Sequence, residues 1–344
     1  MTIWLWLGFL VLVFALLALD LGVFNRKLHV IKAREALGWT AFWISLALVF
    51  NGAVYFMYEH HWLGIGSAIG HELTGKQAAL QFFTGFIIEK SLSLDNIFVI
   101  ALIFSYFNVP GKYQHRVLFW GIIGALVTRG VMIVAGVALI ERFSWMIYVF
   151  GALLLLTAVR MFMTGEEKVE PEKNKLVLFA RRFFTVFPKI ESERFFTRLN
   201  GQWAMTPLFI VLLVIESTDV LFAVDSIPAI FAITYDPFII FTSNVFAILG
   251  LRSLYFALAA VLEKFRYMKA SLVFVLAFVG VKMLLSQIFH IPTLISLGVI
   301  GGILTAGILV SLWASRKNHD LEPRKNPPNN HAKPQKPVRI KEAV

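Results

Sequence analysis

The chain has 344 residues, of which 58% are hydrophobic and only 15% charged, and its formal net charge is +11. Its apolar residues form long runs instead of the short alternations of a soluble core, so the composition indicates a membrane protein and excludes an ordinary soluble domain. The absence of cysteine excludes thiol chemistry, disulfides and sulfur-ligated metals.

Nine apolar runs predict membrane-spanning helices. They begin near residues 3, 37, 80, 116, 144, 207, 238, 271 and 293. Each run has roughly 18 to 25 residues, which is enough to cross the hydrocarbon core of a bilayer as a helix. The first run is expected to stay in the protein, because no basic segment precedes Ile3 and no small-residue cleavage site follows. We therefore predict an all-α, polytopic membrane protein with about nine transmembrane helices.

The basic residues predict the orientation of these helices. Lys and Arg concentrate in the segments 25–36, 107–116, 161–204, 261–270 and the tail from 316, whereas the loops between them hold only Lys76 and Arg142. By the positive-inside rule the basic segments are cytoplasmic, which places the N-terminus outside and the C-terminus inside. Because topology accounts for the positive charge, no nucleic-acid partner is predicted.

Two segments outside the helices stand out. In the cytoplasmic loop 161–204, the stretch "LVLFARRFFTVF" favours either a helix lying on the anionic inner leaflet or a plain connector. The basic tail 316–344 is rich in Pro, Asn and Lys, so we expect it to be disordered. Residues 1–315 are expected to form one transmembrane domain.

An internal repeat organises that domain. The stretch "EKSLSLDNIFVIALIF" from Glu89 aligns with "DVLFAVDSIPAIFAIT" from Asp219, so that Asp95 corresponds to Asp225. In the following runs Arg129 aligns with Arg252, and Arg160 with Lys282. Helices three to five, at about 80–163, thus repeat as helices six to eight, at about 207–289. Three helices are an odd number, so the copies have opposite orientations, which is typical of transporters with a site near the bilayer midplane.

Six carboxylates lie within the apolar runs, and each costs about 2.5 to 3.5 kcal/mol on insertion scales, so each needs a partner or a purpose. They are Asp20, Glu89, Asp95, Glu216, Asp219 and Asp225. The accompanying bases are Lys90, Arg129, Arg160, Arg252 and Lys282. One interpretation is that these bases simply neutralise the acids in buried salt bridges. The acids, however, cluster on two repeat-related helices and helix one, and clustered carboxylates favour a cation between them.

The available ligands narrow the type of cation. Without cysteine, and with almost no histidine in the runs, a site would consist of carboxylates, hydroxyls and the amides of Asn96 and Asn244, which suit Mg²⁺, Ca²⁺ or Mn²⁺. Asp95 and Asp225 are the first candidate ligands. Pro228 either frees a backbone carbonyl as a further ligand or only kinks its helix. The alternative for Glu89, Glu216 and Asp219 is pairing with Arg129, Arg252 or Lys282, or carrying a coupled proton.

Three segments resemble the signature of the TerC family of integral membrane proteins, in particular its Alx-like branch. They are "FIIEKSLSLDNIFVIALIF", "VIESTDVLFAVDSIPAIFAIT" and "SNVFAILGLRSLYF". The resemblance covers about residues 1–315, including "LLALDLGVFNRK" in helix one. It implies a bacterial inner-membrane protein connected with tellurite resistance, alkaline induction and manganese export. Carried over to this chain, the motif acids are Glu89, Asp95, Glu216, Asp219 and Asp225, with Asn96, Asn244 and the helix-one Asp20.

The leading hypothesis is a secondary transporter, not an enzyme, that exports Mn²⁺ without a tightly bound cofactor and in exchange for protons. No nucleotide-binding motif GxxxxGK[ST] is present in the sequence to drive transport by ATP. The alternative is a non-transporting membrane component of a metal or tellurite stress-resistance complex, whose loop 161–204 and tail dock partners. Transport of the tellurite anion is disfavoured by the acids, and an intramembrane aspartyl protease by the absence of GxGD from the sequence.

Overall fold

The computed structural model describes residues 3–22, 33–66, 73–163, 174, 177–179, 185–186, 194–199, 202–259, 268–286, 288–289 and 291–321. Long α-helices dominate these residues, and each of the nine apolar runs is helical. The helices are α1 Ile3–Gly22, α2 Ala33–Glu59, α3 Gly75–Tyr106, α4 Gly111–Arg142, α5 Met146–Met163, α6 Pro207–Phe231, α7 Pro237–Leu249, α8 Leu251–Ala259, α9 Met268–Leu284 and α10 Thr293–Leu321. The predicted all-α, polytopic membrane fold is confirmed.

Six of these helices are long and apolar enough to cross a membrane, and a seventh span results if α7 and α8, which meet at an angle of 41°, are taken together. The two remaining runs differ for physical reasons. Helix α3 is long, but Glu89, Lys90 and Asp95 interrupt its apolar middle. Helix α9 has only 17 residues. Among the described residues the number of clear spans is therefore lower than the nine predicted.

The predicted repeat corresponds to two helix triplets, α3 to α5 and α6 to α9, in which α7 and α8 together count as one helix. These triplets pack crosswise, each against the other. The second helix of each triplet lies on the first helix of the other, so that α4 packs against α6 and α7 packs against α3, while the third helices α5 and α9 pack against each other. Glycines allow the α5–α9 crossing, since a Cβ added at Gly151 would lie 3.1 Å from the carbonyl oxygen of Gly280. This exchange of partners is the arrangement expected when two triplets are related by a two-fold axis.

The second triplet departs from the first at the break between α7 and α8. Where α4 is one continuous helix, α7 ends at Leu249 and α8 begins after Gly250. The ammonium group of the half-buried Lys90 donates a hydrogen bond to the carbonyl oxygen of Ala247 at 3.0 Å. A cation is favourable at the C-terminal end of a helix, where carbonyls lack partners, so Lys90 stabilises the end of α7.

Helices α1 and α2 cover the outside of α3 and α7 through an aromatic core. Phe9 of α1 contacts Phe238 of α7 with ring centroids 5.8 Å apart, and Phe50 of α2 contacts Phe246 of α7 at 4.5 Å. These rings are part of a larger cluster that also contains Phe82 of α3. Because lipid is as apolar as these rings, close van der Waals packing and the ring-to-ring contacts, and not removal from water, hold α1 and α2 against the repeat.

The described part of loop 161–204 contains a small sheet, which the sequence did not predict. Its strands are β1 Thr185–Val186, β2 Phe196–Leu199 and β3 Gln202–Met205, in the order β1–β3–β2. Strand β3 pairs antiparallel with β2 and parallel with β1. Of the two alternatives for "LVLFARRFFTVF", the surface helix does not hold at Thr185–Val186, where pairing with β3 supplies the backbone partners. Residues 177–179 of that stretch are helical, and the rest of it lies outside the described residues.

The C-terminal boundary also differs from the prediction. Helix α10 continues to Leu321, past residue 316 where the disordered tail was expected to begin. Extending an existing helix adds one hydrogen bond for each residue ordered, so a helix can continue beyond the apolar part of its sequence. Residues 322–344 lie outside the described residues, and the prediction of disorder for them stays a prediction.

Candidate functional site

A buried ion bridge joins α3, α4 and α6. Arg129 of α4 donates through Nη1 to Glu89 Oε1 of α3. It also forms a two-pronged pair with Asp219 of α6, from Nη2 to Oδ1 at 2.9 Å and from Nε to Oδ2 at 3.2 Å. Arg129 is 2% exposed, Glu89 0% and Asp219 13%. Two acids that the sequence assigned either to metal binding or to charge pairing thus share one guanidinium group.

Oxygen atoms without a hydrogen-bond partner continue from this bridge along α3. They are Glu89 Oε2, Ser93 Oγ and Asn96 Oδ1, all buried and all without a partner among the described residues. Positions i, i+4 and i+7 of a helix lie on one face, so the three side chains form a polar stripe. Buried oxygens normally have a donor, and a row of them suits a cation or ordered water.

Glu216 lies one turn before Asp219 on the same face of α6, and it is half-buried. Its carboxyl group packs directly on the backbone of α4 at Gly124, where an added Cβ atom would overlap all three carboxyl atoms. Among the residues that the structure describes, its side chain has neither a hydrogen bond nor an ion pair. Only a glycine at position 124 leaves this space.

Asp225 faces a different neighbour from Asp219. Its Oδ1 accepts a hydrogen bond from Thr157 Oγ1 of α5 at 2.8 Å. Residues six apart on a helix differ by about 120° in direction, which explains why Asp219 reaches α4 and Asp225 reaches α5. The related Asp95 on α3 is half-buried. Asp225 therefore points away from the Arg129 bridge, in agreement with its separation from Asp219 along α6.

The other predicted site residues lie apart from this bridge. Arg252 of α8, the counterpart of Arg129, pairs with Asp20 of α1. Lys282 donates to Ser296 Oγ of α10 at 2.8 Å. Asn244 is buried in α7, and its Nδ2 has no partner among the described residues. The two halves of the repeat are thus unequal: the first arginine lies between the acids, whereas the second is held by helix one.

The structure does not gather the acids into one metal cage. Within the described ranges, no group of three or more His, Asp or Glu side chains is arranged to hold a metal ion. The candidate ligands Glu89, Asp95, Glu216, Asp219 and Asp225 line two neighbouring helices instead. In this conformation they offer a series of oxygen atoms along α3 and α6, and not a closed coordination shell.

Two contributors to the site were not singled out in the sequence. The role of Thr157 could not be predicted from the sequence. A threonine within a helix usually donates its hydrogen bond to a carbonyl of its own preceding turn, so its position does not indicate a partner on another helix. Gly124 lies five residues before Arg129 in the stretch "GALVTRGVM", and a glycine in an apolar run carries no chemical group that indicates a site. The alignment of the repeats contained both positions, but it could not indicate which side chain faces which neighbour.

Comparisons with known proteins agree over most of the chain. The model of the integral membrane protein TerC family matches residues 74–319. An uncharacterized membrane protein of Myxococcus xanthus is 52% identical over 312 residues, which are 91% of this chain and 93% of that protein. Proteins named "putative membrane-bound redox modulator Alx" are 46% identical over 314 residues in Salmonella typhi, covering 91% and 95% of the two chains, and 44% identical over 319 residues in Escherichia coli K12, covering 92% and 97%. No solved structure matches the chain.

Proposed function

Because this chain belongs to the TerC family of integral membrane proteins, we propose that it is a secondary transporter that exports a divalent metal ion, Mn²⁺, through the carboxylates of α3 and α6. The family and its bacterial relatives make it a multi-pass membrane protein. The proposal places it in the inner membrane, with the N-terminus outside and the basic segments in the cytoplasm.

The observation that carries the proposal is an excess of carboxylates over bases. Glu89 and Asp219 share the single guanidinium group of Arg129, and Glu216 lies one turn from Asp219 without a base of its own among the described residues. Uncompensated negative charge is costly inside a membrane protein, and it favours uptake of a cation. The oxygen-only surroundings favour a hard divalent ion such as Mn²⁺.

The crosswise packing of the helix triplets supports transport over a static role. In transporters with inverted repeats, one half moves against the other around a site at their junction. Helices α3 and α6 meet at that junction, and they carry the acids. Asp95 and Asp225 are the proposed first ligands, with Asn96 beside Asp95 and the hydroxyl of Thr157 orienting Asp225.

Mn²⁺ flux into proteoliposomes tests the proposal. Wild type is compared with Asp225→Asn, with a chain that ends after Leu321, and with Glu141→Gln, which removes an exposed carboxylate near the end of α4. We expect flux in wild type, in Glu141→Gln and in the shortened chain, and none in Asp225→Asn. Absence of flux in wild type, or equal flux in Asp225→Asn, would contradict a carboxylate transport site.

The same ion bridge favours a second candidate function. As a scaffold, Glu89, Arg129 and Asp219 would hold three helices of a non-transporting component of a stress-resistance complex. Relatives named as redox modulators agree with such a role, although a chain without cysteine would need a partner for thiol chemistry. This function predicts that removing residues 322–344 abolishes resistance, whereas Asp225→Asn leaves it unchanged.

A further inference from the structure

We propose that the hairpin of strands β2 and β3 is a binding surface for the phosphate headgroups of anionic phospholipids. This hairpin surface consists of the exposed side chains Phe196, Arg198 and Trp203, together with the exposed Lys112 in the first turn of α4. Lipid binding there is separate from the proposed transport function, because it concerns how the chain is held in the membrane and not which ion it carries.

The hairpin surface lies where two membrane spans begin. Helices α4 and α6 are both long and apolar enough to cross a membrane, and β3 ends at Met205, directly before the cap of α6. The two helices run in the same direction, because their contacts advance together along both: Gly121 faces Ile215, and further on Arg129 pairs with Asp219. The first turns of α4 and α6 therefore lie on the same side of the membrane.

The same contacts place Lys112 at the height of the hairpin. Lys112 lies nine residues before Gly121, and Thr206, which follows β3, lies nine residues before Ile215. Both helices rise by the same distance per residue, so the two positions have about the same height. Lipid headgroups begin where apolar spans end, and Lys112 and the hairpin therefore lie at the level of the headgroups.

Aromatic contacts attach the hairpin to both helices. Arg116, one turn after Lys112 on α4, lies over the ring of Phe195 in the hairpin, with its guanidinium carbon 5.4 Å from the ring centroid. On the other side, Phe196 contacts Phe209 in the first turn of α6, with ring centroids 4.6 Å apart. The hairpin is thus fixed at the ends of the spans and does not project from them on a free loop.

Two aromatic rings of the hairpin are exposed at this level. Trp203 is 60% exposed and Phe196 is 37% exposed. An indole ring is favoured at the boundary between headgroups and acyl chains, because its body is apolar and its N–H group can reach polar partners. Exposed rings at the ends of the spans therefore indicate contact with lipid.

The basic groups beside these rings favour lipids of negative charge. Arg198 pairs with Trp203 across the two strands, and its guanidinium carbon lies 5.1 Å from the centroid of the indole ring. A guanidinium group stacked on a ring keeps N–H groups available at its edge, where two of them can bind one phosphate group. Lys112 holds its ammonium group 4.8 Å from the ring centroid of Tyr113 in a similar way.

The segments that form the hairpin surface contain bases and no acids. Neither 107–116 nor 194–205 includes Asp or Glu, and together they hold Lys112, Arg116, Arg194 and Arg198. The acids Glu191 and Glu193 precede the hairpin and lie outside the described residues. Each base at a membrane surface strengthens binding to anionic lipid about fivefold. Charge and height in the membrane together favour an anionic phospholipid over a protein partner.

Trp203 gives a local readout of lipid contact. The full-length protein is reconstituted into nanodiscs of phosphatidylcholine that contain a rising fraction of brominated phosphatidylglycerol, whose bromine atoms quench indole fluorescence on contact. A parallel series uses brominated phosphatidylcholine. Each protein is measured with and without Trp203→Phe, so that the difference isolates Trp203 among the nine tryptophans of the chain.

We expect brominated phosphatidylglycerol to quench Trp203 at a lower lipid fraction than brominated phosphatidylcholine does. Arg198→Gln should raise the phosphatidylglycerol fraction for half-maximal quenching about fivefold, whereas Arg198→Lys, which keeps the charge, should retain most of the preference. The matched control is Arg142→Gln, which removes an exposed arginine at the opposite end of α4 and should leave the Trp203 signal unchanged.

Three results would overturn the proposal. Equal quenching by the two brominated lipids would show that the hairpin surface does not select anionic headgroups. No quenching by either lipid would mean that the surface faces water and is free for a protein partner. An equal loss of preference in Arg142→Gln and Arg198→Gln would assign the effect to overall charge. Because every readout is lipid contact, none of them depends on transport.

Discussion

Replacing Arg129 by methionine should strongly destabilise the helix assembly. The change removes the only base between Glu89 and Asp219 among the described residues, and it leaves two carboxylates facing each other in a buried space. Removing one partner of a buried ion pair costs about 3 to 5 kcal/mol, because the remaining charge loses its compensation. At roughly 2 °C per kcal/mol for a chain of this size, the unfolding midpoint should fall by about 6 to 10 °C.

Thermal unfolding of the detergent-purified protein measures this effect. The matched control is Arg142→Met, which removes an exposed arginine at the end of the same helix and should change the midpoint by less than about 1 °C. A triple variant, Arg129→Met with Glu89→Gln and Asp219→Asn, leaves no buried charge at the bridge. It should recover most of the lost stability, since a neutral, well-packed replacement of a buried ion pair is often tolerated.

Two results would refute this reasoning. If Arg129→Met unfolds at the wild-type temperature, the bridge does not connect α3, α4 and α6 in the folded protein. If the triple variant is as unstable as the single one, the loss comes from packing of the arginine side chain and not from uncompensated charge.

Three further predictions concern parts of the fold away from the bridge. Asp20→Asn leaves the buried guanidinium group of Arg252 uncompensated and should cost about 3 kcal/mol in thermal unfolding, and an unchanged midpoint would mean that α1 is not held by this pair. Gly151→Val inserts methyl groups where the backbone of Gly280 lies in contact, so it should cost about 1 to 3 kcal/mol, measured in the same way, and a neutral result would contradict the close α5–α9 crossing. Burial raises the pKa of Asp236, which caps α7, so the folded state holds this proton to higher pH than the unfolded state does. Its contribution to stability is present at low pH and is lost as pH rises through the folded pKa; Asp236→Asn should flatten that decline in melting scans across pH, and an identical pH profile would refute the assignment.

Much of the candidate site was accessible from the sequence because charge inside a membrane is conspicuous. Glu89, Asp219 and Arg129 stood out as ionisable residues in apolar runs, and their pairing was one of the two interpretations considered. The assignment of Asp20 to a metal site came from the family resemblance, whereas the structure places it on Arg252. The sequence could not anticipate this, because a repeat alignment predicts the same partners for Arg129 and Arg252.

Other features depend on contacts between distant residues. The close contact of Glu216 with Gly124 joins α6 to α4, and the hydrogen bond from Thr157 to Asp225 joins α5 to α6. The break after α7 rests partly on Lys90, which lies 157 residues before its acceptor Ala247. The sheet in loop 161–204 likewise requires pairing of Thr185 with Ala204. None of these contacts leaves a periodic signal in the local sequence.

The sequence by itself determined the membrane class, the helical character of all nine runs, the family and the list of acids. The membrane class, the helices and the acids follow from the length of apolar runs and from the cost of charge in lipid, which are local along the chain. The family follows instead from the resemblance of the motif segments. The tertiary structure alone decided that Arg129 pairs with Glu89 and Asp219, that Arg252 pairs with Asp20, and that Asp225 faces α5. That choice depends on how helices cross, because a partner several ångströms away in space can lie more than a hundred residues away in sequence.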